Sequence, residues 1–289
     1  MERIDKEFLR RLDDELMNEG LSLHQRPFHV VAEWMKKNNI KSNFLDERIW
    51  MPLMEDYRAL YPSGDFSIPG LVDAGVAIRD TMYPARVNVG FGTFGVTPLD
   101  LIEISKAELD NTFKHYPELG WKALYSACDL WDLAYGVDDL RFEDSAAVQH
   151  LNNAKSAISS TARTLFQATD TDSAIQTCCL AAELAMKGAL LRLGVDEKEV
   201  RKLNHNLVAL SESLVKYYSN SNDDRLLEAS KGFPNYVNSR YSDHGLTRVQ
   251  LMSLAMRALF IAAEAVRRIT DRNLAGQVEA SERVPRPLL

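Results

Sequence analysis

From residue 145 to about residue 270, apolar residues return every three to four positions almost without a break. That period belongs to α-helices packed on a shared core, and it excludes alternating β-strands over this stretch. Ala147, Leu151, Ala154, Ile158, Ala162 and Leu165 form the first stripe. Polar residues 169–172 interrupt it, and Ser173 with Gln176 has capping-box spacing. The next helix, 173–193, is apolar on most sides through Ile175, Cys178, Cys179, Ala182, Ala185, Ala189, Leu190 and Leu193. Gly194 supplies its C-terminal stop. A helix is expected over 206–219 and a short one over 223–230. Thr247 with Gln250 repeats the capping box and opens a long last helix to about 270. Residues 273–289, with Pro285 and Pro287, read as a flexible tail.

Residues 1–140 are less regular. Ile4, Phe8, Leu9, Leu12 and Leu16 repeat at helical spacing, Pro27 suits the first turn of a second helix over 27–38, and Pro52 weakens a third over 45–60. VDAGVAIRD and ARVNVGF are rich in Val and Ile and predict a short strand pair, with TMYP between them. Thr97, Pro98, Asp100 and Glu103 have the chemistry of a helix start, and that helix is expected to reach His115. Another follows over 119–135. The acidic stretch 136–144 marks the expected domain boundary. The fold class is therefore mainly α: a C-terminal helical bundle, 145–272, preceded by an acidic α or α+β domain, 1–140.

Charge narrows the function classes. Residues 1–140 carry 15 basic and 24 acidic residues, whereas 141–273 carry 17 and 15. Phosphate is repelled by the first segment and tolerated by the second, so nucleic-acid contact is expected in the C-terminal part. A net charge of −7 argues against a nonspecific DNA-coating protein. Three cysteines, two of them adjacent, do not make a disulfide framework or a zinc site. The charged N-terminus has no signal-peptide pattern, and Arg257 and Glu264 break the most apolar run, so a cytoplasmic protein with no membrane partner is expected. Gly90, Gly92 and Gly95 fit G-x-G-x-x-G, but the partner motifs of a kinase or dinucleotide site do not follow. The adjacent pair Asp13-Asp14 reads as a solvated surface.

The segment AAELAMKGALLRLGVDEKEVRKLNHNLVALSESLVKYY, 181–218, resembles the centre of a HEPN domain. Its Ala-rich helix carries the Glu183–Lys187 pair, then Gly194, then the His205-Asn206-Leu207 turn that opens the next helix. NYVNSRYSDHG, 235–245, with Tyr241, resembles the segment before that family's last long helix. The resemblance covers about 145–272. It implies a bundle of four or five helices, a homodimer, and an association with RNA or nucleotides. Many HEPN proteins are metal-independent ribonucleases of toxin–antitoxin or phage-defence systems, and others are non-catalytic binding modules. No cofactor and no metal are implied.

The ribonuclease members carry Arg-x₄₋₆-His. Here the nearest match is Arg240-x₃-His244, one residue short, with Asp243 beside the histidine. In such a site His244 moves the proton and Arg240 neutralises the scissile phosphate. Asp243 either orients His244 or pairs with Arg240 to fix the turn. Glu183 and Lys187 form an i,i+4 pair, and His205 and Asn206 are expected to buttress and cap their helix. Catalysis and binding without catalysis both stay open at this level. Residues 1–140 resemble no family and are expected to offer a surface for a protein partner.

Overall fold

The structure is a computed structural model that describes residues 4–41, 46–66, 70–89, 95–143, 145–169, 171–234, 245–282 and 286–287. The chain divides into two compact units, Met1–Pro69 and Gly70–Leu289. The boundary therefore falls near residue 70, not near 140. The physical reason is that the strand pair and helices of 70–140 share one continuous hydrophobic core with the C-terminal helices, from Val72 to Val266.

The first unit holds three helices, α1 (Lys6–Asn18), α2 (Arg26–Lys37) and α3 (Glu47–Leu60). Asp5 caps α1 by accepting from the backbone N–H groups of Glu7 and Phe8, and Asp46 caps α3. Leu9, Leu16, Val30, Val31, Trp34, Ile49, Leu53 and Tyr57 form their core. Asp13 is buried rather than solvated: Arg26 donates to it at 3.0 Å and Tyr61 donates to the same oxygen. The adjacent Asp14 is exposed, so one turn of α1 splits the acidic pair between core and water.

The second unit opens with an antiparallel hairpin, β1 (Val72–Ile78) and β2 (Thr81–Val87), in register from Val72↔Val87 to Ile78↔Thr81. The strand pair is as expected, but the loop is only Arg79-Asp80, and TMYP lies within β2. Arg79 adopts φ +58°, which a two-residue hairpin loop requires. The expected helix from Pro98 to His115 is two elements. A single 3-10 turn, Pro98–Leu101, gives way to an extended Ile102 that bridges Ala85, and α4 (Lys106–His115) starts afresh with Ser105 as its cap.

Then come α5 (Pro117–Asp139), α6 (Ala146–Leu165), α7 (Ala174–Arg192), α8 (Glu197–Lys202), α9 (Leu207–Tyr217), α10 (Asp223–Lys231), α11 (Arg248–Arg267) and α12 (Leu274–Glu282). By length and hydropathy alone α7 and α11 could cross a membrane. In the fold they are core helices, most of each buried among its neighbours. The Thr247–Gln250 capping box forms at α11. The Ser173–Gln176 box does not, because Ser173 is already helical in conformation.

Residues 273–289 were expected to be a loose tail, and the described part is docked instead. Asp132 on α5 accepts from the backbone N–H groups of Leu274 and Ala275 and so caps α12. Beyond it Arg286 is buried, paired with Asp129 and stacked on Phe260 at 4.4 Å. An aspartate cap and a buried counter-ion outweigh the chain entropy that the proline-rich composition suggests.

Candidate functional site

The site is built where α6, α7 and the α8–α9 turn meet. Gly188 lets α7 approach α6: a Cβ there would lie 2.9 Å from the carbonyl oxygen of Ala147 and 2.9 Å from Leu151 Cγ. This contact packs α6, which carries His150, against α7, which carries Lys187. Six residues after Gly188, Gly194 at φ +85° ends α7, with the Val195 N–H donating to the Leu190 carbonyl at 3.0 Å. The chain then turns through α8 and returns along α9, whose cap is Asn206: its side chain accepts from the Ala209 N–H at 3.1 Å. His205, one residue before that cap, is thereby held over α7.

Glu183 is the centre. Its side chain is only 5% exposed, and both carboxylate oxygens are used. Lys187 Nζ donates to Oε1 at 2.6 Å, and His205 Nδ1 meets Oε2 at 2.8 Å. The pair expected from i,i+4 spacing is therefore half of a three-residue cluster. A buried carboxylate on Nδ1 fixes the orientation of the ring and selects the tautomer in which Nδ1 carries the proton. The His205 side chain remains 50% exposed. His150 completes the neighbourhood. Burial and the charge of Lys187 lower its pKa, against the opposing pull of Glu183 and Glu197.

Of the residues singled out in the sequence, the fold brings together Glu183, Lys187, His205 and Asn206. Arg240, Tyr241, Asp243 and His244 lie outside the described residues, as do Gly90 and Gly92 of the glycine pattern. The sequence holds a second Arg-x₃-His run, Arg201 to His205, and there Arg201 pairs with Glu197 at 2.6 Å. Among the described residues no group of three or more His, Cys, Asp or Glu side chains is gathered as a metal site.

Two features escaped the sequence reading. His150 stands alone in sequence, and the fold brings it under the charges of Lys187 and Glu183 on α7 and Glu197 on α8. The second is a buried ionic network between α5 and α11. Arg267 bonds Asp129 at 2.6 Å and Asp132 at 2.8 Å, and Arg268 bonds Asp223 at 2.7 Å and the Tyr218 carbonyl. Glu264 accepts from Asn220 at 2.7 Å and Asn222 at 3.1 Å. Asp129 and Asp132 on an otherwise apolar helix were the available signal. Burial pushes the Asp129 carboxyl up, but the charges and hydrogen bonds of Arg286 and Arg267 outweigh it and hold it below the usual range.

The fold and this cluster define an all-helical domain in which a buried glutamate orients a lysine and a histidine. Comparison with protein-family models gives it a name: residues 147–271 match the HEPN domain, and the C-terminal part of the chain is a HEPN domain. No curated protein and no solved structure matches the chain.

Proposed function

We propose that this protein is an RNA-directed HEPN protein that cleaves RNA without a metal ion, in a bacterial defence or toxin–antitoxin type system. The observation that carries the reading is the HEPN match over 147–271, which contains both the Glu183–Lys187–His205 cluster and the Arg240–His244 segment. In this reading two copies pair in the cytoplasm, Arg240 neutralises the scissile phosphate, and His244, steadied by Asp243, moves the proton. The unit 1–69 recruits a protein partner.

A second reading is a binding module without catalysis. It is favoured by the commitment of Lys187 to Glu183 and by the shortened Arg240-x₃-His244 spacing. The test is RNA cleavage by the purified full chain in excess EDTA, beside a His244→Ala variant. Loss of cleavage in the variant supports the first reading and its placement. Cleavage retained in the variant moves the site elsewhere. RNA bound but left intact by the wild type selects the binding module.

A further inference from the structure

We infer that the unit from Gly70 onward holds a ligand site for a small amphipathic carboxylate, an aliphatic tail carrying one acid group. The site lies in the seam between the β1–β2 hairpin, α5 and the start of α11. None of its residues belongs to the Glu183–Lys187–His205 cluster.

The seam is a cavity of about 200 Å³. Drug-sized sites run to roughly 300–1,000 Å³, so the ligand here is small. Ala77, Leu119, Val249, Met252 and Met256 give the cavity an aliphatic and thioether wall. Methionines adapt to a flexible tail, because the thioether chain is unbranched and polarizable. Val249 is 54% exposed, a large apolar residue that the fold leaves uncovered beside the cavity.

Among the described residues, the charged side chains that line the cavity are Arg79 and Lys122, and no carboxylate does. Arg79 occupies the two-residue hairpin loop at φ +58°, a conformation that Gly, Asn or Asp adopts at lower cost. A strained position held by a cation points to a use for that cation. The loop itself is clamped: Arg248 donates to the carbonyls of Asp80 at 2.7 Å, Gln167 at 2.8 Å and Leu165 at 2.9 Å. The Arg79 guanidinium lies over the Tyr116 ring at 5.3 Å and pairs with no carboxylate among the described residues. Lys122 is bonded to Glu118 at 3.0 Å, in a largely exposed pair that opens at little cost. Strand β1 adds a third group. The Ala77 N–H is turned toward α11, where its acceptor is Met256 Sδ at 3.4 Å. A thioether accepts weakly, and a carboxylate oxygen accepts strongly. Two cations and an under-used N–H around an aliphatic cavity define the ligand: the charges take its acid group and the wall takes its tail.

The test uses the full chain with octanoate as the probe, and octanol and acetate as its two halves. Titration calorimetry reads affinity, and NMR of isotope-labelled methionine methyl groups reads location. Octanoate is expected to saturate a single site and to shift the signals of Met252 and Met256. The signal of Met51, exposed in the other unit, is expected to stay in place. A hydrogen bond to a charged group is worth about tenfold or more in affinity, so octanol is expected to bind more weakly by at least that factor. Acetate, without a tail, is expected not to bind. Arg79→Asn removes the cation in a residue that suits the loop conformation. It is expected to weaken octanoate about tenfold or more and to leave octanol unchanged. Val249→Asp puts an anion beside the cavity in the first turn of α11, where a carboxylate favours the helix, and is expected to weaken octanoate more than octanol. Equal affinities for octanoate and octanol, or octanoate bound by Arg79→Asn as by the wild type, remove the acid from the ligand class and overturn the inference. Shifts at Met51 as large as those at Met252 and Met256, or binding that never saturates, mean nonspecific adsorption and overturn it as well. Unmoved Met252 and Met256 signals refute the site.

Discussion

Replacing Arg286 by Ala tests how the C-terminal segment is held. The Arg286 guanidinium is 3% exposed, makes two bonds to Asp129 and stacks on Phe260 and Tyr125. Breaking a buried ion pair by removing one partner costs about 3–5 kcal/mol. Asp129 keeps Arg267 at 2.6 Å, so the lower end applies, about 3 kcal/mol. For a unit of this size each kcal/mol is worth about 2–4 °C, which gives a fall of about 6–12 °C in the Tm of residues 70–289. The effect has a pH signature. The Asp129 carboxyl is held below its unfolded value, so its stabilisation is fully present above that value, about 3.9, and is lost as pH falls through the lower folded value. Removing Arg286 raises the folded value toward the unfolded one, and acid unfolding of the variant is expected at higher pH than in the wild type. Thermal melts followed by circular dichroism at pH 7, with an acid titration at fixed temperature, read both quantities. Arg272→Ala is the control. Its pair with Asp139 is two-fifths exposed on each side and is worth about 0–1 kcal/mol. A Tm change under 2 °C for Arg286→Ala, or an unchanged acid midpoint, refutes the argument that the segment is pinned by a buried charge.

Two further outcomes follow from packing. Burial pushes the thiols of Cys128 and Cys179 up to about 12 and that of Cys178 up as well, so none is a thiolate at pH 8. A thiol reagent is expected to find no reactive cysteine in the native protein and all three after denaturation; a fast native equivalent contradicts the core placement. Gly136 lies where α5 crosses α11, and a Cβ there would sit 2.1 Å from Val266 Cγ1. Gly136→Ala gains helix propensity of about 1 kcal/mol, yet overpacking of about 1–3 kcal/mol is expected to dominate. A Tm at or above that of the wild type would show that the two helices can part without cost.

Periodicity carried the C-terminal part of the fold because each helix there has an apolar face and a stop or start signal that depends on its own residues. Gly194 and the Thr247–Gln250 box acted as written. The Pro98–His115 helix failed because a local signal met a tertiary one: Ile102 pairs with Ala85, and the extended backbone of that bridge cannot also be helical. The domain boundary failed for a related reason. Composition shifts at 136–144, but the hairpin and α5 bury their apolar residues on α6 and α11, and shared burial rather than charge sets where a unit ends. Most of the candidate site was legible. Glu183, Lys187, His205 and Asn206 follow a local pattern, whereas the charge of Lys187 bears on His150 through the packing of α6 on α7, which no local pattern announces.

Helices α7 and α11 are apolar on too many sides for surface helices, a pattern that fits burial either in a protomer's core or in a homodimer interface. Inside one protomer α7 is covered by α6, α9 and α11, and α11 by α5, α7 and α10. A helix that is hydrophobic all round belongs in a core, and here that core is complete within the chain. The same helices carry charge where they would otherwise end in bare apolar surface: Arg267 and Arg268 close α11 against Asp129, Asp132, Glu264 and Asp223. The apolar content is therefore spent on folding the protomer. Pairing of two copies, as the proposed function requires, joins protomers that are already folded, so it belongs to the association equilibrium rather than to the folding one. That separation matters for the chemistry. A site shared across a two-fold axis loses activity on dilution without unfolding, whereas one assembled from α6, α7 and the α8–α9 turn of a single protomer does not.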